Sequence, residues 1–183
     1  MKTNHIKLAL IMTGVINLST ALTAYVPKTG DNASDGGKEW PTNRFMLSGD
    51  CVIDKLTGLV WTKSGSQLGD NIANINDAKT TITNMNINGL CGYKDWRLPN
   101  VNELNSLVNY SAFKNSSPQN NTPALWLMNT AGFINVCTTF KYWTSTIRAS
   151  NLNEYWVLDM SDALLDSGWD GAAACVWPVR GGK

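Results

Sequence analysis

Past residue 24 the chain has no histidine; the single one, His5, lies near the start. That removes the commonest general base for a Ser or Cys nucleophile and a principal zinc ligand. Ser145, in YWTST, has no G-x-S-x-G around it, and nothing points to a Ser-Lys arrangement. No CxxC occurs, so the cysteines do not read as a zinc site, and no EF-hand spacing is present. Charged residues are sparse at 16%. The first 24 residues hold two of the 15 basic side chains and none of the 14 acidic ones, which leaves 13 against 14 and a formal charge of −1. Such a balance gives no general attraction for nucleic acid or for acidic surfaces. There is no internal repeat, no low-complexity tract and no late segment long and apolar enough to cross a bilayer.

What is present suits one domain behind a leader. The length is 183 residues, hydrophobic content is an ordinary 43%, and eight tryptophans are many for this size. Residues 1–24 read as a secretory signal peptide, with Lys2, His5 and Lys7 before an apolar stretch at 8–18. Ser19, Thr20 and Ala21 fit the small-x-small cleavage rule, and no Cys follows closely enough for a lipoprotein. Residues 25–39, rich in Gly, Ser and Asp without periodicity, read as an extended or flexible arm. Residues 40–183 form the domain. In an exported chain, Cys51, Cys91, Cys137 and Cys175 read as two disulfides, with three connectivities open.

The stretch CGYKDWRLPNVNELNSL, at 91–107, reads strand, stop, helix. Tyr93 and Trp96 are aromatics that favour burial, and Pro99 keeps Leu98 out of α geometry. Asn100 is placed to cap a helix and Glu103 to close a capping box, with Val101, Leu104, Leu107 and Val108 on one face. Strands are expected near 44–47, 51–53 and 58–63, the last two joined through the turn DKLTG at 54–58. Ile75, Ala78, Ile82 and Met85 recur at helical spacing behind Asn74 or Asn76. Residues 110–135 read as a long loop with a short ordered piece, a usual carrier of binding function. Strands follow near 142–147, 154–160 and 174–180, with a tight turn at Ser161-Asp162-Ala163.

GYKDWRLPNVNEL resembles the core motif of the bacterial Lcl C-terminal domain family, the end domain of a collagen-like adhesin. Further landmarks stand in the family's order: PKTG at 27–30, WPTNRF at 40–45, DKLTGLVWTK at 54–63, YWTST at 142–146 and VWPVRGG at 176–182. The resemblance implies an α+β, C-type-lectin-like fold with short antiparallel strands, two helices and a long loop region. It also implies an extracellular binding role. Such a fold pairs its first and last strands, which points to Cys51–Cys175 and Cys91–Cys137. Two departures stand out. Ala163 occupies a position where the family has Gly, which counts against a turn needing positive φ there. Pro178 stands where a late Cys is frequent.

The resemblance places the chain beside an adhesin associated with sulfated glycosaminoglycans, whose recognition needs Arg and Lys. Lys94, Arg97, Lys114, Lys141 and Arg148 are the candidate cations. Neutral sugars would stack on aromatics instead. Trp61, Trp96, Trp143, Trp156 and Trp177 lie in motif strands and read as core, whereas Trp40, Trp126 and Trp169 lie nearer loops. Asp95 and Arg97 are expected to make structural ion pairs, with each other or across strands. Asp159, Asp162, Asp166 and Asp170 form a weak calcium candidate, read chiefly as turn acids. The calcium and sugar motifs of true C-type lectins are absent, with only Trp169-Asp170-Gly171 as an echo. Formylglycine-generating enzymes share the general fold, but their chemistry needs free cysteines. The expectation is a secreted, periplasmic or cell-surface glycan-binding module, not an enzyme, without a cofactor. The alternative is a structural or assembly domain, a homo-oligomer such as a trimer, that binds protein.

Overall fold

A computed structural model describes residues 27–32, 36–112, 122–169 and 173–181. The elements in chain order are β1 (Phe45–Ser48), β2 (Cys51–Asp54), β3 (Leu59–Thr62), α1 (Ile75–Asn88), α2 (Val101–Asn105), α3 (Pro123–Asn129), β4 (Tyr142–Arg148), β5 (Asn151–Leu158), β6 (Leu165–Trp169) and β7 (Val179–Gly181). They form an α+β arrangement with two antiparallel sheets, ordered β1-β2-β3-β7 and β4-β5-β6.

The first sheet is made by local turns. Ser48 faces Cys51 across a two-residue loop, where Gly49 takes φ 59° as such a turn requires. The expected 54–58 turn joins β2 to β3, closed by the Gly58 N–H on the Asp54 carbonyl at 2.8 Å. The C-terminal strand β7 then pairs with β3, Trp61 opposite Val179.

Between the sheets runs the 91–107 stretch. Arg97 and Val179 exchange backbone hydrogen bonds of 2.9 and 3.0 Å, tying it to the first sheet. The Ser145 N–H donates to the Pro99 carbonyl at 2.8 Å, and the Val101 N–H to the Thr146 hydroxyl at 2.9 Å, tying it to the second. The expected capping box is formed: the Glu103 N–H donates to the Asn100 side chain, and the Asn100 N–H to the Glu103 carboxylate, both at 2.8 Å. Helix α1 starts at the Asn74 cap, buries Ile75, Ala78 and Ile82, and stops at Gly89 with φ 76°.

Two apolar clusters form the core. One gathers Trp61, Trp177, Phe133, Tyr142, Leu104, Leu107 and Leu127; the other gathers Trp96, Trp143, Ile75, Ile82 and Val176. The motif tryptophans Trp61, Trp96, Trp143 and Trp177 are thus core residues, and Trp156 is half-buried. Trp177 meets Phe133 edge-to-face at 5.1 Å and donates its indole N–H to the Thr62 carbonyl at 2.9 Å.

Five sequence expectations are corrected. The start of the 91–107 stretch is not a strand but meets its neighbours through single bridges, Leu90 with Tyr93 and Arg97 with Val179. The four cysteines do form two disulfides, but as Cys51–Cys91 and Cys137–Cys175. Cys51 leaves β2 toward the loop after α1, while Cys175 lies one bridge from Tyr142, near the Cys137 loop, so Cys51–Cys175 and Cys91–Cys137 do not form. The short ordered piece expected within the long loop is a third helix, α3, where two helices were expected; Thr122 caps it, accepting from the Leu125 N–H at 3.1 Å, and Pro123 opens it. The Ser161-Ala163 turn does place a residue at positive φ, and Ala163 occupies it at 62°. Finally, the described part of the arm is docked. Pro27 bridges Lys38, the Tyr110 N–H donates to the Thr29 carbonyl at 3.0 Å, and Lys28 is buried. The signal-peptide reading of 1–24 lies outside the described residues. Among the described residues no helix is long and apolar enough to cross a membrane.

Candidate functional site

The cations singled out in the sequence are dispersed and mostly matched. Arg97 grips Glu103 in a bidentate pair, both contacts at 2.7 Å, and also donates to the Gly181 carbonyl at 2.9 Å and the Leu98 carbonyl at 3.2 Å. Burial alone would push the Glu103 carboxyl up, but the Arg97 hydrogen bond, the Asn100 N–H and the Arg97 charge outweigh it and hold the group below its ordinary range. The same hydrogen bond raises Arg97 above its ordinary value. Asp95 pairs not with Arg97 but with Arg180, at 2.7 and 3.0 Å, and that guanidinium lies 3.8 Å from the centre of the Tyr93 ring. Lys141 meets Asp166 at 2.5 Å, and Arg148 meets Glu154 at 2.6 Å. Both carboxyls are held below their ordinary values, first by those hydrogen bonds. Lys94 is exposed and makes no ion pair among the described residues. Lys114 and the side chain of Trp169 lie outside them.

The acidic candidates serve turns. Asp159 accepts from the Ser161 N–H at 2.7 Å and its hydroxyl at 2.5 Å, while Asp162 accepts from the Leu164 N–H at 2.9 Å. Asp166 is taken by Lys141 and the Ser167 N–H. Asp170 lies outside the described residues, and no group of three or more His, Cys, Asp or Glu poised to hold a metal ion occurs among them.

A different arrangement surrounds Trp126. A pocket of about 360 Å³, within the roughly 300–1,000 Å³ typical of small-molecule sites, is lined by Trp40, Phe45, Trp126 and Arg44, with Asp31 and Glu39 also on its wall. The two tryptophans meet edge-to-face at 6.0 Å, and Phe45 meets Trp126 the same way at 6.1 Å. Local chemistry sets each wall. Trp40 donates its indole N–H to the Lys28 carbonyl at 2.8 Å, so the docked segment fixes it. Trp126 rides on α3, whose Ala124 and Leu127 are buried in the core.

Arg44 forms the deepest polar part. Its side chain is 4% exposed and that of its partner Asp54 0%. Nε and Nη2 donate to the two Asp54 oxygens at 2.8 and 2.7 Å, and Nη2 also reaches the Ser106 carbonyl at 2.8 Å. Asp54 accepts in addition from the Leu56 N–H and the Thr57 hydroxyl. The guanidinium lies 4.4 Å from the Trp40 ring centre and 4.5 Å from that of Phe45. Its Nη1 is buried without any hydrogen-bond partner. A buried donor without an acceptor is costly, and Trp61 Nε1, Trp143 Nε1 and Asn109 Nδ2 share that state.

The sequence matches the family described as Lcl C-terminal domain over residues 50–180. The chain belongs to this family. A search of curated proteins gives no match. Trp40, Arg44 and Phe45 precede the matched span of the Lcl C-terminal domain, while Trp126 lies within it. The sequence reading named Trp40 and Trp126 separately and missed Arg44, Phe45, Asp31 and Glu39 as their neighbours. The aromatic-basic-aromatic spacing of WPTNRF was the available signal. What it could not reveal is that α3 would bring Trp126, some 80 residues onward, against it.

Proposed function

We propose that this protein is an exported, lectin-like binding module that recognises glycans in the pocket between Trp40 and Trp126. The observation behind the reading is the combination, at one pocket, of aromatic walls with a buried guanidinium nitrogen that lacks an acceptor. Sugar rings present apolar C–H faces to aromatics and hydroxyls to polar groups, which is what such a lining suits. Two disulfides and the absence of free cysteines support an oxidising, extracytoplasmic setting. The mixed helix and antiparallel-sheet architecture supports the lectin-like reading of the fold. Pairing of Arg97, Lys141 and Arg148 with carboxylates argues against a sulfate-binding surface built from them.

The test is retention of the oxidised protein on immobilised neutral glycans and on heparin across a salt series, for wild type and Trp126→Ala. Retention on a neutral glycan that persists at high salt and is lost in the variant is expected. Retention only on heparin, falling with salt and unchanged in the variant, would reject the pocket and return attention to the surface cations.

A second reading, an assembly domain that binds protein, draws on exposed Met46 and Leu47 on β1, an edge strand of its sheet. It requires a native mass well above that of the single chain without any ligand.

A further inference from the structure

Resting on that reading, we infer that the Trp40–Trp126 pocket selects an N-acetylated amino sugar, with the acetamido group against Arg44. Three features of the pocket converge on this chemistry. The first is the open donor. Arg44 Nη1 is both unpaired and covered, with its guanidinium stacked between Trp40 and Phe45. An acceptor reaches it only if the covering side chains shift, and must then shed its own water and sit among rings. An amide carbonyl is a strong acceptor carried on a small, largely apolar group, so it meets that requirement at low desolvation cost. A sulfate or a uronic carboxylate would have to be stripped of a tightly held hydration shell, and Asp54 already neutralises the Arg44 charge.

The second feature is the wall beside the donor. Phe45, Trp126 and Ala131 offer an apolar surface for the acetamido methyl group, which a plain hydroxyl leaves unfilled. The third is the sign of the other charged side chains. Asp31 and Glu39 both line the pocket, and Glu39, although paired with Lys28 at 2.6 Å, is largely exposed. Carboxylates accept hydrogen bonds from sugar hydroxyls and from an amide N–H, and they repel anionic sugars. Donor, apolar wall and acidic lining together match a neutral sugar bearing an amide, and the acidic lining with the Asp54 counter-charge disfavours a sulfated one.

Neutral or weakly charged polymers that carry this chemistry include a homopolymer of N-acetylglucosamine and the glycan strand of a bacterial cell wall. The experiment is titration calorimetry of the oxidised full protein against a β-linked N-acetylglucosamine oligomer and a matching glucose oligomer. The two differ only in carrying an acetamido group or a hydroxyl at one carbon. Co-sedimentation with chitin and with purified cell-wall sacculi assigns the polymer. The acetylated oligomer is expected to bind at least about tenfold more tightly than the glucose oligomer. Binding should be lost in Trp126→Ala, and the preference should narrow in Arg44→Lys, which keeps the charge but not the fork. Because the comparison of the two oligomers needs no variant, it stands even if Arg44→Lys fails to fold. Equal binding of both oligomers, abolished by Trp126→Ala, would overturn the acetamido assignment and leave the pocket reading intact. Failure of both oligomers to bind folded protein would overturn both, as would preference for a sulfated oligomer included as a third ligand.

Discussion

Of the arginines that hold carboxylates in bidentate grips, Arg97 and Arg44 have opposite consequences. At the corner of the recognisable motif, Arg97 donates from both terminal nitrogens to Glu103 and to backbone carbonyls, including that of Gly181 in β7. It is a strut, joining α2 to the C-terminal strand with each terminal nitrogen engaged. At the aromatic pocket, Arg44 makes the same fork to Asp54 yet leaves Nη1 open beside Trp40 and Phe45. The difference teaches that the strongest family signature marks what holds the sheets together, while Arg44, anchored on Ser106 at the far end of the same stretch, keeps a nitrogen without an acceptor. A motif can be diagnostic because it is structural.

Removing the acid of each pair measures the contrast in stability. Asp54→Ala should be the most damaging, because it leaves the fully buried Arg44 without its counter-charge and strips the β2–β3 turn of its acceptor. A loss of about 3–5 kcal/mol in denaturant unfolding is expected. A loss comparable with that of the partly exposed Arg97 pair would mean that the two sites do not differ in burial as described.

Glu103→Gln should cost less, about 1 kcal/mol, because Arg97 is 40% exposed and glutamine can still close the capping box. Its signature is in pH. The Glu103 carboxyl is held below its ordinary value of 4.5, so the folded state binds its proton less readily than the unfolded chain. The stability it contributes is therefore complete above that value and disappears as pH falls through the lower folded one. Unfolding midpoints measured downward from pH 6 should fall less steeply in the variant than in wild type. Identical acid limbs would show that the pair contributes no pH-dependent stability.

The smallest expected effect lies away from both arginines. Ala163 holds φ 62°, a conformation that disfavours a side chain. Ala163→Gly should stabilise by about 0.5–1 kcal/mol, less whatever packing its methyl group gives against the core. A loss of stability on thermal unfolding would show that the packing outweighs the backbone relief.

Local chemistry made much of this legible. Asn100 and Glu103 announced their capping box, the 54–58 turn its hairpin, and Ile75, Ala78 and Ile82 the buried face of α1. Trp61 and Trp143 are buried in the strands expected for them, while Trp96 and Trp177 are buried outside any strand. What failed was non-local. Disulfide pairing depends on which loops meet in space, and spacing does not encode that. Helix α3 is seven residues long, too short for a periodic signal, so only an ordered piece is legible there, and Thr122 and Pro123 alone mark it as a helix. The docked arm is held by backbone hydrogen bonds to Lys38 and Tyr110, to which composition is blind. The pocket shares this origin, since two segments distant in sequence, residues 40–45 and α3, bring Trp40 and Arg44 together with Trp126.

The most direct test of that pocket is the affinity of the oxidised protein for a neutral glycan with and without Trp126, measured at high salt alongside a thermal unfolding curve. Wild type should bind, and Trp126→Ala should remain folded and lose binding. A folded Trp126→Ala that binds as tightly as wild type would contradict placement of the site at Trp40 and Trp126.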